Sequence, residues 1–269
     1  MSSLFTYTLR IADSSLILGQ RMSEWCSNGP TLEEDIAMSN ISLDMFGQAN
    51  GFYQYAAQLD GTKSADELAF RRNEREFFNH QLVEQENRDF GTTMVRNFLH
   101  DVFNFLFYTE LSKSKDETLS ALASKSLKEV KYHLRHSSNW LVRLGDGTGE
   151  SNTKVQDALK ELWMYTGELF EMDNLDTELL NNGIAVDNSA LKSEWDSIVN
   201  KTLVKAKLTR PEDAYMATGG KKGLHTEYLG FILSEMQFFE RIALGNFSKD
   251  RTNYLETIKR YKSVYGENQ

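Results

Sequence analysis

Four acidic side chains stand among apolar residues, one on each of four segments that have helical spacing. They are Asp13, Asp44, Asp101 and Glu129. A carboxylate on the apolar face of a helix costs several kcal/mol unless it is paired with a cation, protonated or bound to a metal ion. Bundles that bind two iron ions use one acidic residue on each of two helices and a Glu-x-x-His pair on each of the other two. The pattern therefore indicates a di-iron site or the remains of one.

The histidines that such a site needs are missing at the expected spacing. Gly47 stands three residues after Asp44, and Tyr132 stands three residues after Glu129. His133 comes one residue late, and a rotation of about 100° per residue turns it away from the expected direction. Carboxylates alone suit a redox-active iron pair poorly, because such a pair prefers mixed nitrogen and oxygen ligands. We therefore predict that this chain binds no metal. The positions of the degenerate metal site are Asp13, Asp44, Gly47, Asp101, Glu129 and Tyr132.

Without a metal, the acidic groups need other partners. Arg10 precedes Asp13 by three residues, a spacing at which the two side chains can meet on one helix. Asp101 has no basic residue three or four positions away, so we expect a cation from another helix. Taken singly, each carboxylate can also lie at the edge of its apolar stripe and reach water or an arginine.

Long helices must position these residues, because only two prolines, Pro30 and Pro211, interrupt the 269 residues. Thr31 is placed to cap the second long helix, and the sequence GDGTG ends the fourth. Four long helices joined by two short links and one crossover match the ferritin-like four-helix bundle, so we predict an all-α fold. The apolar spacing predicts helices over about 4–28, 31–59, 89–112 and 116–144, with a partly helical connector over 64–86.

The second half of the chain predicts additional helices rather than a second domain. No low-complexity linker separates it from the bundle. Helices are expected over about 151–170, over 190–206 and from Thr226 onward, with an irregular segment over 174–190. We predict one ferritin-like domain over residues 1–269. It comprises a core bundle over about 4–145, a helical extension over about 150–245 and a tail over 246–269.

Composition excludes several classes of protein. The net charge of −9 opposes binding to nucleic acid, and no apolar run approaches the roughly 20 residues that span a membrane. The N-terminus lacks the charged flank and apolar run of a secretory signal, so we expect a cytoplasmic protein. Cys26 is the single cysteine and excludes an intramolecular disulfide; we expect it to be a small buried residue.

Five segments resemble successive signature blocks of a known family, the structural (C) subunits of phenylacetyl-CoA epoxidases, which are bacterial multicomponent monooxygenases. The resemblance covers about residues 4–245, and the blocks are specific in order and spacing. They read LGQRMSEWCSNGPTLEEDIAMSNISLDMFGQA, LAFRRNEREFFNHQLVEQ, SLKEVKYHLRHSSNWLVRLGDGT, LWMYTGELF and TGGKKGLHTEYLG.

The resemblance implies a noncatalytic role in the epoxidation of the ring of phenylacetyl-CoA. It implies a tight hetero-oligomer with a catalytic di-iron subunit of related fold, together with further small and reductase subunits. It also implies that the iron belongs to that partner and that this chain holds no cofactor. The chief alternative is an independent metal-dependent oxidase that uses the four carboxylates and His133. A scaffold without an oxygenase partner is a third possibility.

The last of the five blocks contains a glycine- and lysine-rich loop. Gly219, Gly220 and Gly223 can adopt positive φ angles, and Lys221 and Lys222 concentrate positive charge before a helix. These features are the ingredients of an anion site, either for a CoA phosphate or for an acidic patch on a partner. Two lysines beside glycines are a weak signal, however, and we favour a flexible solvated turn or a subunit-docking loop.

Overall fold

Helices form all of the regular structure in residues 2–243, the part of the chain that this computed structural model describes. No β-strand occurs within these residues. The predicted all-α, ferritin-like bundle is therefore confirmed, with four long helices at its core. These are α1 (Ser3–Ser23), α2 (Leu32–Asp60), α5 (Phe90–Leu111) and α6 (Glu117–Gly145). The connector between α2 and α5 carries α3 (Ala65–Phe70) and α4 (Gln81–Glu84), and the later helices are α7 (Gly149–Trp163), α8 (Asn174–Asn181), α9 (Asn188–Lys205), α10 (Glu227–Met236) and α11 (Phe238–Ala243).

Each long helix begins at a side chain that accepts a hydrogen bond from the first turn, which satisfies one of the free backbone N–H groups there. The four caps are Ser2, Thr31, Asp89 and Asp116. The predicted cap at Thr31 and the predicted end of the fourth helix at GDGTG are thus confirmed. The first helix ends at Ser23 rather than at residue 28, because residues 24–28 form turns.

Two of the four long helices, α1 and α5, are buried over much of their length by the helices around them. Residues 11–19 of α1 and residues 91–104 of α5 are all buried. The helix α2 packs along α1, where the Ser42 hydroxyl donates to the Gly19 carbonyl at 2.8 Å. The helix α6 packs along α5, and α2 meets α6 at a seam. Fully burying one large apolar side chain contributes about 1.5–3 kcal/mol, so this packing dominates the stability of the bundle.

The C-terminal helices cover one side of this bundle. The helices α7 and α9 pack on α5, and α8 and α10 pack on α1. The segment 174–190, which was expected to be irregular, contains α8; its capping box joins Asp173 and Asp176. The helix predicted over 151–170 ends at Trp163, and a 3-10 turn follows at Gly167–Phe170.

Three further expectations concern the surface and the ends of the chain. Cys26 is exposed, so the expectation that it is buried was wrong. No helix among residues 2–243 combines the length and the apolar character that crossing a membrane requires. The predicted tail over 246–269 lies outside the described residues.

Candidate functional site

Asp13 is buried but belongs to an ion pair with the connector. The Arg72 guanidinium donates to both carboxylate oxygens of Asp13, with Nη1 at 3.0 Å from Oδ2. The Tyr53 hydroxyl donates to Oδ1 at 2.6 Å, and the Phe78 N–H donates to Oδ2 at 2.8 Å. Burial opposes the charge of Arg72, but the field of Asp13 outweighs it and raises the arginine pKa. The carboxylate therefore has a complete set of partners from this chain.

Arg10 does not reach Asp13, so that part of the sequence interpretation was wrong. Its guanidinium binds Asp173 at 2.5 Å and Asp176 at 3.0 Å, at the first turn of α8. Although burial opposes it, the hydrogen bond from Arg10 lowers the pKa of Asp173 to about 2. Helical spacing showed only which side chains share a face of α1, whereas the two partners of Arg10 come from a distant part of the chain.

The carboxylates of Asp44 and Glu129 lie at the seam between α2 and α6. His133 Nε2 is 3.0 Å from Asp44 Oδ2, and the Gln48 amide donates to Glu129 Oε2 at 2.9 Å. His133 is almost fully buried, whereas the Asp44 side chain is 39% exposed. The two carboxylates thus edge the bundle rather than occupy its centre.

Gly47 and Tyr132 lie on the outside of the molecule. Both are exposed, and Tyr132 is 39% accessible to solvent. Side chains at these two positions therefore point to solvent and not into the bundle, where metal-binding imidazoles would stand. On α6 the buried imidazole is that of the neighbouring residue, His133.

Asp101 is a buried carboxylate without a cation. Its Oδ2 accepts a hydrogen bond from the Ser137 hydroxyl at 2.7 Å, and its Oδ1 has no partner. Burial raises the pKa of Asp101 to about 6, against an opposing contribution from His133 and the Ser137 hydrogen bond. The expected compensation by a cation from another helix was wrong: α6 supplies a hydroxyl instead.

The six predicted positions do not converge on one point. Asp13 faces the connector, Asp44 and Glu129 lie at the seam, and Asp101 lies inside the bundle. Across residues 2–243, no three His, Cys, Asp or Glu side chains are arranged so that they could hold a metal ion. The chemistry of this set is ion pairing and hydrogen bonding within the chain.

The glycine- and lysine-rich loop is packed against the rest of the protein. Lys221 Nζ donates to Asp176 Oδ2 at 2.8 Å and to the Glu171 carbonyl at 2.7 Å. The Gly220 N–H donates to Glu168 Oε2 at 3.1 Å, and burial raises the pKa of Glu168 to about 7. A side chain on Gly220 would place Cβ 2.3 Å from the Asn79 carbonyl oxygen. The loop therefore binds carboxylates of its own chain, and it is not a loose solvated turn.

Gly219 and Gly223 adopt φ angles of 121° and 73°, so the expected positive φ angles occur at two of the three glycines. Lys222 is exposed, and Gly223 is buried. Within residues 219–223, Lys222 is the residue exposed to solvent.

A small cavity lies beside this loop, and its wall is mostly apolar with several polar side chains. It offers about 40 Å³ to the centres of water molecules, room for about three waters if each needs about 10–15 Å³. Three of the groups that line it have a buried polar atom without a partner: Arg10 Nε, His80 Nδ1 and Asn188 Oδ1. The charges of Arg10 and Lys221 are balanced by Asp173 and Asp176, so the cavity suits neutral molecules rather than an additional ion.

A further buried ion pair was missed in the sequence. His225 Nδ1 is 3.1 Å from Glu84 Oε2, and His225 Nε2 is 2.8 Å from the Phe77 carbonyl oxygen. Both ring nitrogens face acceptors, which a doubly protonated imidazolium satisfies. Burial opposes the charge, but the hydrogen bond and field of Glu84 outweigh it and raise the pKa of His225. The 141 residues between these two partners gave no sequence signal of their contact.

Comparison with known proteins identifies the family. The family model described as "Phenylacetic acid catabolic protein" matches residues 1–246. The chain is 46% identical over 245 residues to the (C) subunit of the 1,2-phenylacetyl-CoA epoxidase of Escherichia coli (strain K12). The match covers 91% of this chain and 99% of that relative. The resemblance found in the five sequence blocks is thereby confirmed, and the chain belongs to the family of phenylacetic acid catabolic proteins.

Proposed function

We propose that this chain is the noncatalytic structural subunit of a phenylacetyl-CoA epoxidase, which pairs with a di-iron catalytic subunit. The observation that carries the proposal is the 46% identity to a protein named as the (C) subunit of that enzyme, over 99% of its length. Similarity along 91% of this chain and 99% of the relative supports the same role in the assembly and not merely one shared segment.

The partners of the interior carboxylates support the noncatalytic part of the proposal. Asp13 is paired with Arg72, and Glu129 accepts a hydrogen bond from Gln48. A metal ion at Asp13 would have to displace Arg72, and the buried guanidinium would then be left unpaired. In the proposed complex, the iron and the reaction with oxygen belong to the catalytic subunit.

The reaction of the proposed complex uses molecular oxygen and electrons from NADPH, relayed by a reductase subunit, to form the ring 1,2-epoxide of phenylacetyl-CoA. The assembly also includes a further small subunit, and it acts in the cytoplasm during aerobic breakdown of phenylacetate. The physical role of this chain is to cover an outer face of the catalytic bundle and to hold its helices in register. Permanent interfaces of this type commonly bury about 2,000 Å² or more.

Co-expression with the catalytic subunit tests the proposal. We expect the two chains to copurify as a stable hetero-oligomer, and we expect the complex to epoxidise phenylacetyl-CoA when reductase and NADPH are supplied. The matched control is this chain purified alone, for which we expect neither turnover nor stoichiometric iron or manganese. Oxygen-dependent turnover by the isolated chain with a firmly bound metal pair would refute the proposal, and so would failure of the two chains to associate.

A further inference from the structure

The outer face of α2 is unusual because it is exposed and carries little charge. The exposed positions recur every three or four residues along the helix and form one stripe, as expected for a single helical face. Three of them are large and apolar: Leu32 is 73% exposed, Ile36 is 52% exposed and Leu43 is 65% exposed. We name the set the α2 stripe; it consists of Leu32, Ile36, Asn40, Leu43, Gly47, Asn50, Gln54 and Gln58.

The neighbouring helix α6 shows what a solvated face looks like in the same protein. Both helices have 29 residues. The exposed positions of α6 include five cations: Lys125, Lys128, Lys131, Arg135 and Arg143. On α2 the exposed charged residue is Glu33, in the first turn, while the partly exposed Asp44 lies at the edge of the stripe and is paired with His133. Surface helices normally carry charged residues on the solvent face, whereas the core of a protein interface is depleted of them.

Gly47, in the middle of the stripe, has no role in packing among residues 2–243. A Cβ added at Gly47 would meet no atom within 4 Å, although glycine destabilises the interior of a helix relative to alanine. Gly51, one turn later, is different, because its Cβ would lie 2.9 Å from Leu122 Cδ2. A glycine on an outer helical face permits close approach by the backbone of another chain. Gly47 is thus a second, independent sign of a partner.

Within residues 2–243, no helix of this chain packs over the α2 stripe, so this face can bind a partner. The C-terminal helices pack on α1 and α5, and α7 and α9 also contact α6, whereas α2 packs against α1, α3 and α6. At 1.5 Å per residue, the stripe from Ile36 to Gln54 is about 27 Å long, enough for a helix of about 18 residues to lie along it.

We infer that the α2 stripe is the surface through which this chain binds the catalytic subunit, with a helix of that subunit packed lengthwise and closest at Gly47. This inference rests on the proposed function, which supplies the partner. With a helix width of about 10 Å, the stripe from Ile36 to Gln54 offers about 270 Å². A standard interface buries about 800 Å² on each partner, so the stripe is its centre and flanking surface completes it.

Two substitutions test the inference: one is expected to weaken binding to the catalytic subunit, and the other is a control expected to leave it unchanged. Leu43→Lys places a charge at the centre of the stripe, and Val204→Lys makes a comparable change on α9, where Val204 is 77% exposed. Affinity for the catalytic subunit is measured with the purified full-length chain, and thermal unfolding checks that each variant is folded. We expect Leu43→Lys to weaken binding at least about tenfold, because a charge buried at an interface centre lacks a partner. Val204→Lys is expected to bind as the wild type does.

A variant at the glycine adds a second measurement. Gly47→Leu is expected to weaken binding at least about tenfold while the isolated chain unfolds at the same or a higher temperature, since the site has free space. If both stripe variants bind the catalytic subunit as tightly as Val204→Lys does, the inference is wrong and the proposed function stands. If the wild-type chain does not bind, the proposed function fails and the inference with it. If Leu43→Lys instead only dissociates a homodimer of this chain, the occupant is a second copy and the inference is overturned.

Discussion

The same chemical change at two buried aspartates is expected to have opposite effects on stability. Asp101 is 2% exposed and lacks a cation, and its pKa rises from 3.8 to about 6 on folding. Because the folded pKa is raised, ionisation of this carboxyl group destabilises the fold. The penalty is absent below the unfolded pKa, grows as the pH rises between the two pKa values and is complete above the folded pKa. At about 1.36 kcal/mol per pKa unit, the ionised carboxylate costs about 3 kcal/mol at pH 8 and about 1.6 kcal/mol at pH 5.

Asp101→Asn removes this charge and keeps a carbonyl oxygen for the Ser137 hydroxyl. We therefore expect the variant to have a higher free energy of unfolding than the wild type, by about 3 kcal/mol at pH 8 and by about half of that at pH 5. Urea titrations at the two pH values, followed by circular dichroism, measure the difference. A variant that is less stable than the wild type, or whose gain does not change with pH, would show that Asp101 is not an uncompensated buried acid.

The matched control is Asp13→Asn. Asp13 is 0% exposed, but it holds the buried guanidinium of Arg72. Removing one partner of a buried ion pair leaves the other charge unpaired and costs about 3–5 kcal/mol. We expect Asp13→Asn to lower the free energy of unfolding at pH 8 by an amount in that range. If the two asparagine variants shift stability in the same direction, the contrast between their environments has been misread.

Three further predictions concern the remaining sites. His225→Gln is expected to lower the free energy of unfolding more at pH 6 than at pH 9. The protonated histidine stabilises the fold below about pH 6.5, and this contribution is lost as the pH rises through the raised pKa of the folded state. Equal losses in urea titrations at the two pH values would contradict this. Gly47→Ala is expected to raise the free energy of unfolding of the isolated chain by up to about 1 kcal/mol. Gly51→Ala is expected to gain less or to lose stability, because its Cβ would press on Leu122. The reverse order in denaturant titrations would contradict the packing argument. The small cavity beside the lysine loop is expected to hold ordered water in a crystal structure, because it has room for a few water molecules and polar side chains in its wall; a dry cavity would be the contrary result.

The elements of the fold were predictable because their signals are local. Apolar spacing placed the four long helices, and the Thr31 cap and the GDGTG segment marked two of their ends. The helix α8 was missed because it has only eight residues, about two turns, in which periodicity is hard to distinguish from chance. Its Asp173 and Asp176 capping box was the available signal, since an acidic residue followed three positions later by another can begin a helix.

The environment of each acid was less predictable than its helix. An error of one residue turns a helical position by about 100°, which separates the exposed Tyr132 from the buried His133. Partners distant in the chain are a second difficulty, because Asp13 binds Arg72 across 59 residues and Arg10 binds Asp173 across 163. Spacing within one helix carries no information about such pairs. The sequence therefore indicated that the acids needed compensation but not which groups supply it.

The placement of the buried ion pairs bears on which face of the bundle is free. Net stabilisation from a buried ion pair is small, because desolvation offsets most of the attraction, so its main effect is to fix one arrangement of the chain. Asp13 holds the connector on α1 through Arg72, and Arg10 holds the start of α8 on the same helix through Asp176. Lys221 also binds Asp176, so the lysine loop is fixed at that place too. Two of these pairs fix the connector and α8 on α1, the third fixes the lysine loop on α8, and none of them involves a residue of the α2 stripe. The helices α7 and α9 pack on α5 and α6 instead. Among residues 2–243 the α2 stripe therefore stays exposed, and we expect another subunit to bury it.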